Sequence, residues 1–190
     1  MILASQSPRR RELIALISPE FRVMPAQGEE ILPEGISPEQ AVLLLSRQKA
    51  DEVRQREFPG GGAVPETIVA ADTVVAIDGE ILGKPHSAED AAEMLRLLSG
   101  REHSVYTGVT VISGEECVSF AERTAVEFFP LTEQEIASYV ATGEPMDKAG
   151  AYGIQGRGAL LVRRIDGDYY NVMGLPVGEL NQRLRAMGVN

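Results

Sequence analysis

The sequence is poor in the residues on which many functional classes depend. It has no tryptophan, one cysteine and two histidines, and aromatic residues make up 5% of its 190 positions. A single cysteine, Cys117, excludes an internal disulfide framework and any multi-cysteine metal site. It lies in an alternating apolar stretch and is expected to be a small core or surface residue. No electropositive neighbourhood is evident around it, which argues against a thiol nucleophile. His86 and His103 are not at zinc spacing and are expected at surface or turn positions. Basic residues number 18 against 28 acidic ones, a formal net charge of −10. Long-range attraction to nucleic acid or to an anionic membrane is therefore excluded as a general mode of action, whereas a small phosphorylated ligand needs only a local basic cluster. No apolar run approaches membrane-spanning length, and the N-terminus lacks a basic-then-apolar leader, so a cytoplasmic protein is expected. There is no Gly-x-Ser-x-Gly elbow and no dinucleotide fingerprint after the first strand. Gly60-Gly61-Gly62 is not followed by Lys-Ser/Thr, so it is read as a surface loop. Neither an internal repeat nor an interdomain linker is visible, and residues 1–190 are read as one domain.

What is present starts at the N-terminus. Ile2 to Ala4 reads as a short apolar strand and Ser5 to Ser7 as a hydroxyl-rich turn. A helix over Pro8 to Leu16 follows, with Ser7 as N-cap and Pro8 at the first helical position, where its missing N–H costs nothing. Arg9, Arg10 and Arg11 open that helix, where acidic residues would suit the dipole better. Two readings stand: the arginines meet a phosphate bidentately, or they form a solvated basic turn in which Arg11 pairs with Glu12.

Further along, Phe21 to Met24 reads as a strand, followed by an acidic loop, Gln27-Gly28-Glu29-Glu30. Ser37-Pro38-Glu39-Gln40 is a capping box that starts a helix to about Arg56. Lys49 lies on its core-facing side, four residues after Leu45. Thr67 to Ile77 is the strongest strand signal, apolar enough to be buried on both faces. Asp72 interrupts it, and a carboxylate there needs a partner, a metal ion or a hydrogen-bonding turn. Asp78-Gly79 turns the chain back toward Gly83-Lys84-Pro85, bringing Lys84 near Asp72. A helix capped by Ser87 runs to Leu98. Glu102 to Ile112 and Cys117 to Phe129 read as a long strand pair, and Thr132 caps a helix ending near Gly143. The segment Asp147 to Gly158 is glycine-rich and suits close backbone approach. Ala159 to Ile165 and Asp168 to Met173 read as paired strands before a terminal helix to Met187. Early alternation of strands and helices, with hairpins later, indicates an α/β fold with a mixed sheet flanked by helices.

The polar residues in awkward positions form two sets. Arg9, Arg10, Lys49, Lys84 and Lys148 are cationic; Glu30, Asp72 and Asp147 are acidic. Together they suit a polyphosphate with a hard divalent metal such as Mg²⁺, for which one or two carboxylates are enough.

Five segments, in order, carry a resemblance: Ala4-Ser-Gln-Ser-Pro-Arg-Arg10, Ala70-Ala-Asp-Thr-Val-Val75, Gly83-Lys-Pro85, Leu97 through Ser99-Gly100 to Tyr106-Thr-Gly-Val109, and Lys148-Ala-Gly-Ala-Tyr-Gly-Ile-Gln-Gly156. Together they resemble the Maf family of nucleoside triphosphate pyrophosphatases. The resemblance implies an elongated, twisted mixed sheet with two lobes around a cleft, related to inosine-triphosphate pyrophosphatases. It also implies hydrolysis between the α and β phosphates, metal dependence, a cytoplasmic location and a homodimer. By motif match Asp72 is the proton acceptor, and Ser7, Arg9, Arg10, Lys49 and Lys84 line the phosphate path, with Glu30 near the metal or water. Arg9, Thr73 and Gln155 match positions of substrate specificity. The run Tyr152 to Gly156, with Asp168-Tyr-Tyr-Asn-Val172, resembles the dTTP/UTP branch. Gln155 offers a donor and an acceptor to the edge of uracil or thymine. The alternatives are the N7-methyl-GTP branch and a non-catalytic nucleotide sensor of septum formation. Gln6, at a position often held by a small residue, and the Phe58–Glu66 loop depart from the common pattern.

Overall fold

The computed structural model, which describes residues 1–189, is built on one seven-stranded mixed sheet. Its elements in chain order are β1 (Ile2–Leu3), α1 (Pro8–Ile14), β2 (Arg22–Val23), α2 (Pro38–Glu57), β3 (Val64–Ile77), β4 (Glu80–Leu82), α3 (Ala88–Leu98), β5 (Glu102–Gly114), β6 (Glu116–Phe128), α4 (Glu133–Val140), β7 (Val162–Asp166), α5 (Tyr169–Met173) and α6 (Val177–Ala186). Short 3-10 turns at Glu144–Asp147, Ala149–Ala151 and Gly156–Leu160 lie between α4 and β7. The strand order is β2-β1-β3-β5-β6-β7, with β4 paired to β3 outside that path. Among the described residues the parallel pairs are β1 with β2 and β1 with β3, and the other pairs are antiparallel. The expected mixed α/β sheet with flanking helices is therefore present.

Strands β3, β5 and β6 are 14, 13 and 13 residues long, so the sheet is elongated, about 40 Å at roughly 3.3 Å per residue. Period-two alternation along β3 divides the core. Ile68 and Ala70 face α2 and pack with Ala50 and Val53. Val69 and Ala71 face the opposite side and pack with Leu13 and Ile14 of α1 and with Leu180 and Leu184 of α6. Farther along, Val75 and Ile77 pack with α3 and α4 through Leu95, Leu98 and Ile136. Apolar cores thus sit at both ends of the long strands.

The outer edge of β3 is split between these ends. β1 pairs with it at Ile68 and Val69, and β4 at Val75 to Ile77. Its other edge pairs with β5 from Ile68 through Ala76. Among the described residues no strand covers the outer edge at residues 70–74. That window is flanked by the Ser5–Ser7 turn after β1 and by Gly83-Lys84 after β4.

Helix α2 lies very close to the sheet beside the window. A Cβ at Gly108 would overlap the Val42 carbonyl and lie 2.8 Å from the Leu43 nitrogen. Gly108 is the register partner of Asp72. The absent side chain therefore sets how near α2, and with it Lys49 two turns further on, comes to the β3 window.

Several expectations are corrected. Asp168 to Met173 is not a strand: Asp168 caps Tyr170, Tyr169–Met173 is helical, and Gly174 ends the turn with φ +113°. The alternation that resembles a strand arises because Asn171 and Met173 are buried on one side of a short helix. The Ala159–Ile165 strand is shortened to Val162–Asp166, because Gly156–Leu160 is a 3-10 turn. The first helix stops at Ile14, two residues before its expected end, and the ladder at Phe21 to Met24 is confined to Arg22–Val23. His103 is not at the surface. It is 3% exposed, with its Nε2 2.7 Å from Tyr152 Oη and Phe128 packed edge-on against its ring. Cys117 does have a cationic neighbour, with Arg47 Nη1 2.9 Å from its sulfur. Burial nevertheless pushes its thiol up, which keeps it protonated and inert.

Gly108→Ala is expected to destabilise the fold by about 1–3 kcal/mol, since backbone rather than a flexible side chain must yield. Urea unfolding measures this, and a midpoint equal to the parent's would contradict the contact. Burial holds the His103 imidazole down to about 4, from 6.5. The unfolded chain then binds the extra proton as pH falls below 6.5, so stability is full above that value and declines until the folded group also protonates near 4. The decline attributable to His103 is about 3 kcal/mol. Unfolding midpoints of the parent should fall more steeply between pH 6.5 and 4 than those of His103→Gln; parallel slopes would contradict it.

Candidate active site

Two consecutive residues form the floor of the window. Asp72 points to the α2 face of the sheet and Thr73 to the other, because strand neighbours alternate. A cation reaches each of them from a different helix.

On the α2 face, Lys49 Nζ lies 2.5 Å from Asp72 Oδ1 and 2.7 Å from Glu30 Oε1. Asp72 is 7% exposed. Lys49 does not snorkel to water: its ammonium bridges a mid-strand carboxylate and one from the loop before α2. This pairing is what makes a charge inside β3 tolerable. Burial pushes the Glu30 carboxyl up, but the Lys49 hydrogen bond and the charges of Lys49, Lys84 and Arg10 outweigh it, leaving Glu30 below the ordinary carboxylate range. The same balance locates Lys84 beside this cluster. Lys84 is exposed and makes no ion pair among the described residues. Next to the cluster is a recess of about 210 Å³ lined by Gly28, Glu30, Gln48, Lys49 and Glu52.

On the opposite face, Arg10 reaches from α1 and uses its fork three ways. Nε donates to Gly174 O at 2.8 Å, Nη1 to Ser5 Oγ at 3.2 Å and Nη2 to Thr73 Oγ1 at 2.9 Å. The direction of the chain beyond it is fixed by chemistry. Arg10 can only donate and the Asn171 carbonyl can only accept, so Thr73 donates to Thr107 (2.9 Å) and Thr107 to Asn171 O (3.1 Å). Asn171 Nδ2 in turn donates to Val105 O and Thr124 Oγ1, fixing α5 to β5 and β6. Burial lowers the Arg10 pKa, Asp72 opposes the shift, and guanidinium stays charged at any working pH.

Ser7 caps α1 through its Oγ, which accepts from Arg10 N at 3.4 Å, and Ser7 N donates to Ser5 Oγ at 3.3 Å. Arg9 Nη1 pairs with Asp147 Oδ2 at 3.4 Å, and Lys148 Nζ holds Asp147 Oδ1 at 2.6 Å. Arg11 is exposed and, among the described residues, has no ion pair with Glu12.

The structure thus brings Glu30, Lys49, Asp72, Lys84, Arg10, Thr73 and Ser7 to one window, with Arg9 tied to it through α1. Gln155 stands apart. It is exposed, precedes the 3-10 turn Gly156–Leu160, and caps nothing. Sequence reasoning gave no role to Ser5, Thr107, Gly174 or the Asn171 side chain, all of which anchor the Arg10 network. For Thr107 and Asn171 the missed signal was polarity within an apolar run, the same signal that exposed Asp72.

Glu30 and Asp72 offer hard carboxylate oxygens around a point already occupied by one positive charge. That donor set fits a hydrated Mg²⁺ or Mn²⁺ completed by phosphate oxygens. Lys49→Met should raise the Glu30 pKa above its present depressed value, because the upward push of burial stays while its main opponent is lost. A side-chain carboxyl NMR titration reads this directly, and an unchanged Glu30 would refute the bridge.

With the geometry described, comparison with known proteins is informative. The family profile described as "Maf-like protein" matches residues 1–187. A protein of Agathobacter rectalis named dTTP/UTP pyrophosphatase is 51% identical over 204 residues, covering 100% of this chain and 98% of its own length. Proteins of the same name from Bacillus velezensis and Carboxydothermus hydrogenoformans are 49% and 50% identical, covering 100% and 98% of this chain and 97% of each relative. Among solved structures, a HAM1 protein from Coxiella burnetii aligns with a TM-score of 0.52 at 14% identity, over 97% of this chain and 98% of that one. The last likeness concerns the fold.

Proposed function

The chain belongs to the Maf family, and from that premise we propose that it hydrolyses dTTP and UTP between the α and β phosphates, releasing the nucleoside monophosphate and pyrophosphate. The observation that carries this reading is the Glu30–Lys49–Asp72 cluster in an open window of β3, beside Lys84 and the Arg10 network. Full-length relatives named dTTP/UTP pyrophosphatase, near 50% identity, support the choice of substrate.

Water adds across the α–β anhydride: its oxygen bonds to phosphorus, the bridging P–O bond breaks, and pyrophosphate leaves. Asp72 orients that water and accepts its proton. Lys49 fixes the Asp72 carboxylate, and it has a further N–H for a phosphoryl oxygen. Lys84, with Arg9 and the Ser7 turn, meets the phosphate chain. Arg10 acts mainly by holding the floor of the window, since three of its five N–H groups are already engaged. Glu30 and Asp72 would hold a divalent cation, Mg²⁺ or Mn²⁺, which when bound supplies charge neutralisation at the reacting phosphoryl group. Gln155 presents a carboxamide that can both donate to and accept from the edge of a pyrimidine. The reading carries with it a cytoplasmic homodimer, and sedimentation of the pure protein tests the dimer.

UTP or dTTP with Mg²⁺ should yield monophosphate and pyrophosphate, identified by ³¹P NMR. Asp72→Asn, which keeps size but cannot accept the proton, should lose about 10²–10⁴-fold in kcat. Diphosphate and orthophosphate as products would overturn the bond assignment. Preference for N7-methyl-GTP in the same panel would overturn the pyrimidine reading, and nucleotide binding without pyrophosphate release would favour a sensor.

A further inference from the structure

The segment that carries Gln155 is held by two side chains to which neither the motifs nor the proposed chemistry gives a role. Tyr139, on the last turn of α4, is 4% exposed. Its hydroxyl donates to Glu144 Oε1 at 2.9 Å and accepts from Gly153 N at 3.2 Å. Glu144 opens the next 3-10 turn, and its carboxylate accepts from Gly158 N at Oε1 and from Arg157 N at Oε2, each at 3.1 Å. Backbone N–H groups on both sides of Gln155, at residues 153, 157 and 158, are therefore tied to one phenol–carboxylate pair.

The fit leaves no slack. Gly156 has φ +64°, and a Cβ on it would lie 2.8 Å from Glu144 Oε2. A Cβ on Gly158 would overlap the Gly153 carbonyl oxygen and lie 2.6 Å from Tyr139 Oη, and one on Gly153 would lie 2.7 Å from Lys148 Cε. Gly158 is thus required where the segment's own backbone and the Tyr139 hydroxyl converge, and Gly156 by its left-handed conformation beside the Glu144 carboxylate. Lys148 Nζ also bonds Glu144 O at 2.6 Å and Asp147 Oδ1 at 2.6 Å, and Asp147 meets Arg9. The brace thereby connects to the helix that begins at the phosphate turn. The Gln155 side chain lies outside all these bonds, on backbone fixed at both ends.

We propose that Tyr139 and Glu144 are positioning residues for base selection, holding the Gly153–Gly158 segment so that the Gln155 carboxamide meets the pyrimidine edge in one geometry. The proposal rests on the reading of Gln155 as the base-contacting residue. A carboxamide on a loose segment would still form hydrogen bonds, but it would adapt to the wrong base as readily as to the right one. Fixing the backbone turns a hydrogen-bonding group into a discriminating one, because the carboxamide can then reach fewer alternative positions to suit a mismatched edge.

The test uses the full-length enzyme and compares kcat and KM for UTP and CTP, whose bases differ in donors and acceptors at the edge Gln155 would read. Tyr139→Phe keeps the ring and removes only the hydroxyl. Glu144→Gln replaces an acceptor oxygen with an NH2 group that cannot receive a backbone N–H. Each should raise KM for UTP about 10-fold with kcat much less affected, and lower the UTP-to-CTP ratio of kcat/KM by about 10-fold. Gln155→Ala should lower that ratio by itself, and adding Glu144→Gln to it should lower the ratio no further. If Gln155→Ala collapses discrimination while both brace variants preserve it, the brace proposal is overturned and the reading of Gln155 stands. If Gln155→Ala leaves discrimination intact, the reading of Gln155 falls and the proposal with it. An equal loss of kcat on both nucleotides in the brace variants would mean that they serve the fold only, and would also overturn the proposal.

Discussion

The candidate site depends on a close approach of backbone to backbone. Helix α2 rests on β5 at Gly108 with no side chain between them, and Gly108 is paired in register with Asp72. A helix carried on ordinary side chains would stand farther from the sheet, and its lysine would snorkel outward. Because α2 lies so low, Lys49 meets Asp72 and gathers Glu30 from the loop that precedes the helix. A carboxylate in the middle of a buried strand is costly without a partner, so a residue with no side chain is what makes the charged cluster affordable.

The second support is Arg10. It enters from the opposite face of the same strand and spans three separate pieces of chain: the Ser5 turn, Thr73 on β3 and the end of α5 at Gly174. Hydrogen bonds from a charged donor contribute roughly 1.5–3 kcal/mol each, and here they join elements from both ends of the sequence. The hydroxyls of Thr73 and Thr107 carry the contact to Asn171, so α5 is held from two sides. Asp72 and Thr73, adjacent in sequence, are thus fixed from opposite faces by cations on different helices, within the 70–74 stretch of the β3 outer edge that no strand covers among the described residues.

Much of this was legible in the sequence because it follows from local rules. The capping boxes at Ser37 and Thr132 set the starts of α2 and α4, and both are present in full. The apolar run around Asp72 marked a buried strand and its misfit charge. What failed did so where local pattern and tertiary packing diverge. The alternation at Asp168 to Met173 imitates a strand, but the Asp168 cap and the buried Asn171 make it a helix. His103 beside charged residues looked superficial, yet it lies against Tyr152 and Phe128. Arg47 reaches Cys117 across 70 positions of chain, a distance at which no local pattern speaks.

The sequence alone determined which residue types are on offer to the candidate site: a hydroxyl-rich turn leading into arginines, a carboxylate within an apolar strand, lysines on separate segments and, apart from them, a glycine-rich stretch with one carboxamide. These are properties of residue type and short spacing, and elementary chemistry reads them directly. Only the tertiary structure decided which groups share a charge. Lys49 pairs with both carboxylates while Lys84 stays exposed, Arg10 is spent on anchoring while Arg9 turns to Asp147, and Gln155 lies on a segment braced by Tyr139 and Glu144. Those assignments depend on how close α2 lies to the sheet and on where β1 and β4 leave β3 uncovered, and both are set by packing between residues far apart in the chain.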